Sequence, residues 1–247
     1  MKPSRRRQRL HRPHRVVMLA FPQAQVLDVT GSLEVFARTA RWLTEHGGAA
    51  SPAYVTEIAA RCSGPLAMSS GLKLVATRRY ADVDDADTLL VAGGIGWEAV
   101  ARDRAMLGWL AGQAKRVARL GSICNGALLL AAAGLLDGHA ATTHWAYLDR
   151  LAALAPRARI DRDALYVRSG NLYTSAGVTA GMDLALALVE HDHGPELAQA
   201  AAREMVMFVH RPSGFPQISA QLAVRRPHHE PLRDVLALIA EHPDADL

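Results

Sequence analysis

Short, continuously apolar runs alternate along the chain with longer stretches whose apolar positions recur every three or four residues. RVVMLAF (15–21) is apolar, partly β-branched and followed by Pro22, which predicts a first strand. VLDVTGSLEVFARTARWL carries Leu33, Phe36, Ala37 and Ala40 at helical spacing and predicts a helix entered near Thr30 to Ser32. AYVTEIAA (53–60), LKLVAT (72–77) and DTLLVAGG (87–94) read as strands, the last one buried and stopping on a glycine pair. EAVARDRAMLGWLAGQAKRV (98–117) reads as one amphipathic helix. RLGSIC then predicts a strand, NGALLLAAAGLL a helix and WAYLDRLAALA another. ALYVRSGNLYTS has the form of a hairpin turning at Ser169-Gly170-Asn171. VTAGMDLALALVEH and PELAQAAAREMVMFVH give two further helices. Strands alternating with helices predict a mostly parallel sheet covered by helices on both faces.

After His210 the texture changes. RPSGFPQISAQLAVRRPHHEP is rich in Pro, Arg and His and reads as a linker over 211–231, although ISAQLAV suits an extended segment. PLRDVLALIAEHPDADL predicts an amphipathic helix with Leu232, Val235, Leu236 and Ile239 on one face. A lone helix cannot bury such a stripe, so the chain is expected to stop partway through a second module at 232–247. The expected organisation is a disordered basic tail (1–14), an α/β domain (15–210), a linker and that orphan helix.

Composition narrows the classes. The chain has 247 residues, half of them apolar, which is enough to bury a full core. Two cysteines, Cys62 and Cys124, argue against a disulfide framework and for a reducing compartment, so a cytoplasmic location is expected. The apolar run from Ala127 is broken by Asp137 and His139, too early for a membrane span, and the N-terminus lacks the apolar core of a secretory signal. The net charge of +4 is unevenly placed: residues 1–15 hold seven Lys and Arg and no acid, leaving 21 basic against 24 acidic residues from Val16 onward. The basic character therefore belongs to the tail. An Arg-rich arm suits contact with nucleic acid or acidic lipid, while a solvated leader accounts for it without any partner.

The candidate chemistry centres on Ser122-Ile123-Cys124-Asn125-Gly126, which has the small-x-nucleophile-x-small pattern of a nucleophile elbow between a strand and a helix. At a helix N-terminus the free N–H groups and the dipole favour a thiolate, which predicts a lowered Cys124 pKa. The plain alternative is a core cysteine, the commonest fate of a free thiol. Gly93 and Gly94 offer backbone N–H donors of the kind an oxyanion site needs, and the alternative is a routine strand-to-helix turn. Asp28, expected just after the first strand and ahead of the following helix, is a candidate acid or base facing the thiol, or equally an N-terminal helix carboxylate. His144, beside Trp145, is the histidine placed to pair with Cys124, although no acidic residue is evident to orient it. Cys62 reads as a turn residue. No metal-ligand spacing, phosphate loop or dinucleotide fingerprint is present, so neither a metal nor a cofactor is expected.

Taken in order, LDVTGSLEVFA, LLVAGGIGWEA, GSICNGALLLAAAGLLDGHAATTHWAYLDRL and NLYTSAGVTAGMDLALALVEHDHG resemble the ThiJ/PfpI superfamily, over about Val16 to Leu222. The likeness is strongest to the branch fused to an AraC-type helix-turn-helix domain, and PLRDVLALIAEHPDADL is similar to the first helix of that region. The resemblance implies a class I glutamine amidotransferase-like fold, that is, a flavodoxin-like three-layer sandwich with Cys124 at the elbow, Asp28 facing it, and a homodimer. It also implies a ligand crevice at Gly93, Gly94, Ile95, Asn125, Gly126 and Thr143. His144 matches the Thr-His-Trp of the regulator branch. Asn125 stands where the peptidase branch has His and the hydratase branch has Thr, which counts against proteolysis and puts isonitrile hydration in doubt. Ala92 stands where relatives usually have Pro.

Three functions follow. The first is the ligand-sensing and dimerisation domain of an AraC-type regulator, which binds a small metabolite around Cys124 and meets DNA only through a C-terminal domain missing from this sequence. The second is a ThiJ/PfpI-type enzyme, isonitrile hydratase-like or glyoxalase/deglycase-like, with Cys124 as nucleophile. The third is a thiol-bearing stress protein whose cysteine oxidises to a sulfinic acid. The tail helix favours the first, since an enzyme has no use for an unfinished helix.

Overall fold

The first strand, β1 (His14–Leu19), is fully buried from Val16 to Leu19, as a continuous apolar run at the centre of a parallel sheet must be. The computed structural model describes residues 12–47, 52–208 and 210–219, together with Leu222, Val235 and Leu238. The basic arm up to His11, most of ISAQLAV and all of the 232–247 helix except Val235 and Leu238 lie outside the described residues. One unit reaches to Gln217 and a second begins at Ile218. In the second, Leu222, Val235 and Leu238 are helical and exposed.

After β1 come α1 (Val26–Gly47), β2 (Tyr54–Ala60), the pair β3 (Gly64–Ala67) and β4 (Lys73–Ala76), the short β5 (Arg78–Arg79) and β6 (Thr88–Val91). Then follow α2 (Trp97–Ala101), α3 (Arg104–Gln113), β7 (Arg119–Ser122), α4 (Ala127–Ala132), β8 (Ala140–Ala141), α5 (Leu148–Leu154) and β9 (Arg159–Ile160). The hairpin β10 (Tyr166–Ser169) and β11 (Leu172–Ser175) precedes α6 (Thr179–His193) and α7 (Pro195–Glu204). The main sheet runs in the order β10-β11-β7-β6-β1-β2-β5, parallel throughout except where β10 pairs antiparallel with β11.

From the centre the chain leaves in two directions: β1 crosses through α1 to β2 on one side, β6 through α2 and α3 to β7 on the other. Right-handed crossovers in opposite directions put α1 on one face and α2 and α3 on the other. Helices α6 and α7 pack with α1, and α4 and α5 continue the opposite layer. The result is the expected flavodoxin-like sandwich. Strand order reverses between β1 and β6, the switch point at which open α/β sheets bind ligands, and here the segments after the two strands are joined by a bridge between Ala24 and Gly94 and by the Gln25 N–H donating to the Gly93 carbonyl at 2.8 Å.

Four local departures from expectation have identifiable causes. The 98–117 helix is two helices, because the Asp103 carboxylate caps a new N-terminus by accepting from the N–H groups of Ala105 and Met106 at 3.1 Å each. LKLVAT pairs as β4 with the unforeseen β3 in a hairpin outside the main sheet. Helix α7 ends at Glu204, short of His210, and Val206 turns into the left-handed region with a φ of 52°. Helix α1 starts at Val26, before Thr30, because the chain reverses at once after β1 through Gln23 with a φ of 64°. Among the described residues no helix is long and apolar enough to cross a membrane.

Candidate functional site

The early start of α1 places Asp28 in its first turn, inside the helix and not ahead of it, with no exposed surface. Its Oδ2 accepts the Gly93 N–H at 3.0 Å, and its Oδ1 has no partner among the described residues. Burial pushes the carboxyl up to about 7, opposed by the N–H groups of Gly93 and Val178. The carboxyl therefore keeps its proton well above the ordinary carboxylate range.

Cys124 follows β7 and begins a single 3₁₀ turn leading into α4. Its φ is 56°, in the left-handed region where a side chain costs about 1–3 kcal/mol. Two contacts hold it there: its N–H donates to the Ala176 carbonyl at 2.9 Å, and its carbonyl accepts the Thr143 hydroxyl at 2.8 Å. The residue is 9% exposed. Burial first, and the Asp28 carboxylate second, push the thiol up to about 12, against the pull of the Asn125 N–H. The expected lowering is thus overturned: a six-residue helix behind a 3₁₀ turn does not outweigh desolvation beside an acid.

The two strand ends close on each other around Gly93. A methyl group there would lie 2.5 Å from Asn125 Oδ1, 2.7 Å from Cys124 Cβ and 2.8 Å from Asp28 Oδ2, so those three side chains crowd one point. Gly126 packs as tightly on β6, where a Cβ would come within 2.8 Å of the Ala92 carbonyl oxygen. The Gly94 N–H donates to Asn125 Oδ1 at 2.6 Å, and Asn125 Nδ2 returns a bond to the Gly94 carbonyl at 3.2 Å. Gly93 and Gly94 were expected to supply free oxyanion donors. Both N–H groups are instead taken, one by a carboxylate and one by an amide.

His144 caps the turn that follows it, its Nδ1 accepting the Ala146 N–H at 3.2 Å. In the neutral ring the proton then sits on Nε2. Burial lowers its pKa and keeps it neutral, and it forms no hydrogen bond with Cys124. The ring instead lies against Gly177, where a Cβ would be 3.3 Å from Nε2. Thr143 is buried behind Cys124, whereas Ile95 is 67% exposed beyond the glycine pair. Cys62 is exposed between β2 and β3. Among the described residues no three His, Cys, Asp or Glu side chains are placed to hold a metal ion.

Sequence reasoning missed Val178, which has a φ of 45° and an N–H turned to Asp28, and also Gln217, whose amide reaches the Thr143 carbonyl at 3.0 Å. Neither carries a signal in the sequence; Asp183, an acid inside the apolar run MDLALALV, calls for a buried partner, which is Arg211.

Residues 14–191 match the DJ-1/PfpI family. An isonitrile hydratase from Pseudomonas putida is 38% identical over 181 residues, 73% of this chain and 73% of that protein. The HTH-type transcriptional regulator GbdR of Pseudomonas aeruginosa (strain UCBPP-PA14) is 36% identical over 141 residues, 57% of this chain but only 37% of the regulator. A ThiJ/PfpI family protein from Pseudomonas syringae superposes with a TM-score of 0.72 at 30% identity, over 93% of this chain and 87% of that one.

Proposed function

Because the chain belongs to the DJ-1/PfpI family, we propose that it is the ligand-sensing and dimerisation part of a cytoplasmic AraC-type transcriptional regulator. In this reading Cys124 stands at a nucleophile elbow that has kept its shape and given up its activation. The observation that carries it is the pair of occupied donors. A cysteine nucleophile needs a thiolate and free N–H groups for the developing oxyanion. Here the thiol is pushed up to about 12, and the Gly93 and Gly94 N–H groups already serve Asp28 and Asn125. What is left is a buried, polar, strained turn suited to hold a small metabolite, with Asp28 Oδ1 as an unused acceptor and Ile95, Asn125, Gly126, Thr143 and His144 around it. The likeness to GbdR supports the regulator class, and DNA contact would fall to a helix-turn-helix domain.

The likeness to isonitrile hydratase favours a second reading, an enzyme with Cys124 as nucleophile and Asp28 as acid and base. Asp28, titrating near 7, suits proton transfer at neutral pH. A panel of small metabolites, isonitriles and dicarbonyls screened by thermal shift and by turnover separates the two. Sensing expects a stabiliser that is not consumed, raising stability by about 2.7 kcal/mol at a hundredfold excess over Kd. Turnover that Cys124→Ala abolishes while the fold survives would make the protein an enzyme.

A further inference from the structure

We propose that residues 211–217 form a strap that positions the Cys124 turn and responds to its state. The use of this response as a signal rests on the sensing reading, whereas the strap itself rests on contacts. At its start Arg211 clamps α6. Its N–H donates to Asp183 Oδ1 at 3.0 Å, its Nε and Nη2 to Oδ2 at 3.0 and 2.6 Å, and Nη2 also to Thr179 at 2.9 Å. Asp183 has no exposed surface, so this clamp is the buried acid's partner. At its end the Gln217 N–H donates to the Asp163 carbonyl at 3.0 Å. Between them Ala164 and Pro216 form a bridge, while Pro212 to Pro216 stay exposed.

Two relays run from this strap to the two backbone groups of Cys124. In the first, Gln217 Nε2 donates to the Thr143 carbonyl at 3.0 Å, and the Thr143 hydroxyl donates to the Cys124 carbonyl at 2.8 Å. In the second, the Cys124 N–H donates to the Ala176 carbonyl at 2.9 Å, the Ala176 N–H to Leu165 at 2.7 Å, and the Leu165 N–H to Ser213 at 3.1 Å. Within these two relays the side chains that carry a link are Thr143 and Gln217. Gln217 Nε2 also faces Thr142 Oγ1 at 3.2 Å and the Ala164 carbonyl at 3.3 Å, so a donor is required at that position. A residue in the left-handed region relaxes if either anchor loosens, so anything that moves the Cys124 turn must load the strap. Coupling of this kind is reciprocal.

The test uses the whole chain carrying Cys62→Ser, with iodoacetamide as the probe of Cys124. Gln217→Glu, which sets a carboxylate against three oxygen atoms, and Gln217→Ala are each compared with Tyr54→Phe. That control loses a bond to Asp192 and lies far from the strap in the sheet. Both Gln217 variants are expected to change the Cys124 alkylation rate at least tenfold relative to the control. Alkylation of Cys124 is expected in turn to raise hydrogen exchange at Leu165 and Gln217 at least tenfold and to leave β2 unchanged, a measurement that needs no strap variant. Rates within threefold of the control, or exchange at Leu165 and Gln217 unmoved by alkylation, would overturn the strap. A strap that passes while no metabolite stabilises the protein would sink the sensing reading alone.

Discussion

Gly94 and Asn125 hold each other by two hydrogen bonds, N–H to Oδ1 at 2.6 Å and Nδ2–H to the carbonyl at 3.2 Å. A side-chain amide is the group that can give and accept at once in this geometry, which accounts for Asn beside the cysteine. The clasp ties the segment after β6 to the turn after β7.

Asn125→Ala strands a buried donor and a buried acceptor on Gly94. The expected loss is on the order of 2–4 kcal/mol, read as a lower urea midpoint at unchanged m-value. A midpoint equal to wild type would mean that the clasp contributes nothing to stability.

Asp28 makes stability fall as pH rises. Its folded pKa of about 7 lies above the ordinary value of 3.8, so the native state holds the proton more tightly between those limits. Its contribution is complete below about pH 4, declines through the window and is lost above about pH 7, at roughly 1.4 kcal/mol per pKa unit. Asp28→Asn should remove this slope, so the stability difference between variant and wild type should change across pH 4–7 and be flat above it. Parallel curves for the two proteins would contradict a raised carboxyl.

Cys124 should be a slow thiol. With its pKa at about 12, its thiolate fraction at pH 8 is about a thousandth of that of a thiol at the ordinary 9.0. In a Cys62→Ser background, alkylation should lag a free thiol by that order, and Asp28→Asn should speed it by removing the neighbouring carboxylate's charge. Rapid labelling at pH 7 would restore the case for a nucleophile.

Gly93→Ala should fail by crowding. Its Cβ would meet Asn125, Cys124 and Asp28 within 2.8 Å, and none of the three can retreat without breaking a buried hydrogen bond or the Cys124 turn. A cost of about 1–3 kcal/mol is expected, with loss of any metabolite-induced thermal shift. Gly108→Ala, in α3 with open space around it, is the control expected to be neutral or mildly stabilising.

Order and type of elements were legible because they are local. The apolar run at 15–21 and the spacing of Leu33, Phe36 and Ala40 report burial within one strand or one helix. Where a single capping side chain changed the outcome, as Asp103 does between α2 and α3, periodicity alone read through it. The placement of Cys124 between a strand and a helix was equally legible, whereas Asp28 as its neighbour was one of two even readings of the residues and was favoured only by the family resemblance.

The alternation of runs along the sequence therefore determined the α/β class with helices on both faces of a mostly parallel sheet, and put a cysteine at the carboxyl end of a strand. Only the tertiary structure decided the chemical state of that cysteine. The Gly93 N–H finds its acceptor 65 residues away and the Gly94 N–H 31 residues away. The burial that raises Asp28 and Cys124 comes from elements scattered through the chain. Desolvation and hydrogen-bond pairing are sums over neighbours in space, and no pattern of adjacent residues records which donors are still free once those neighbours have arrived.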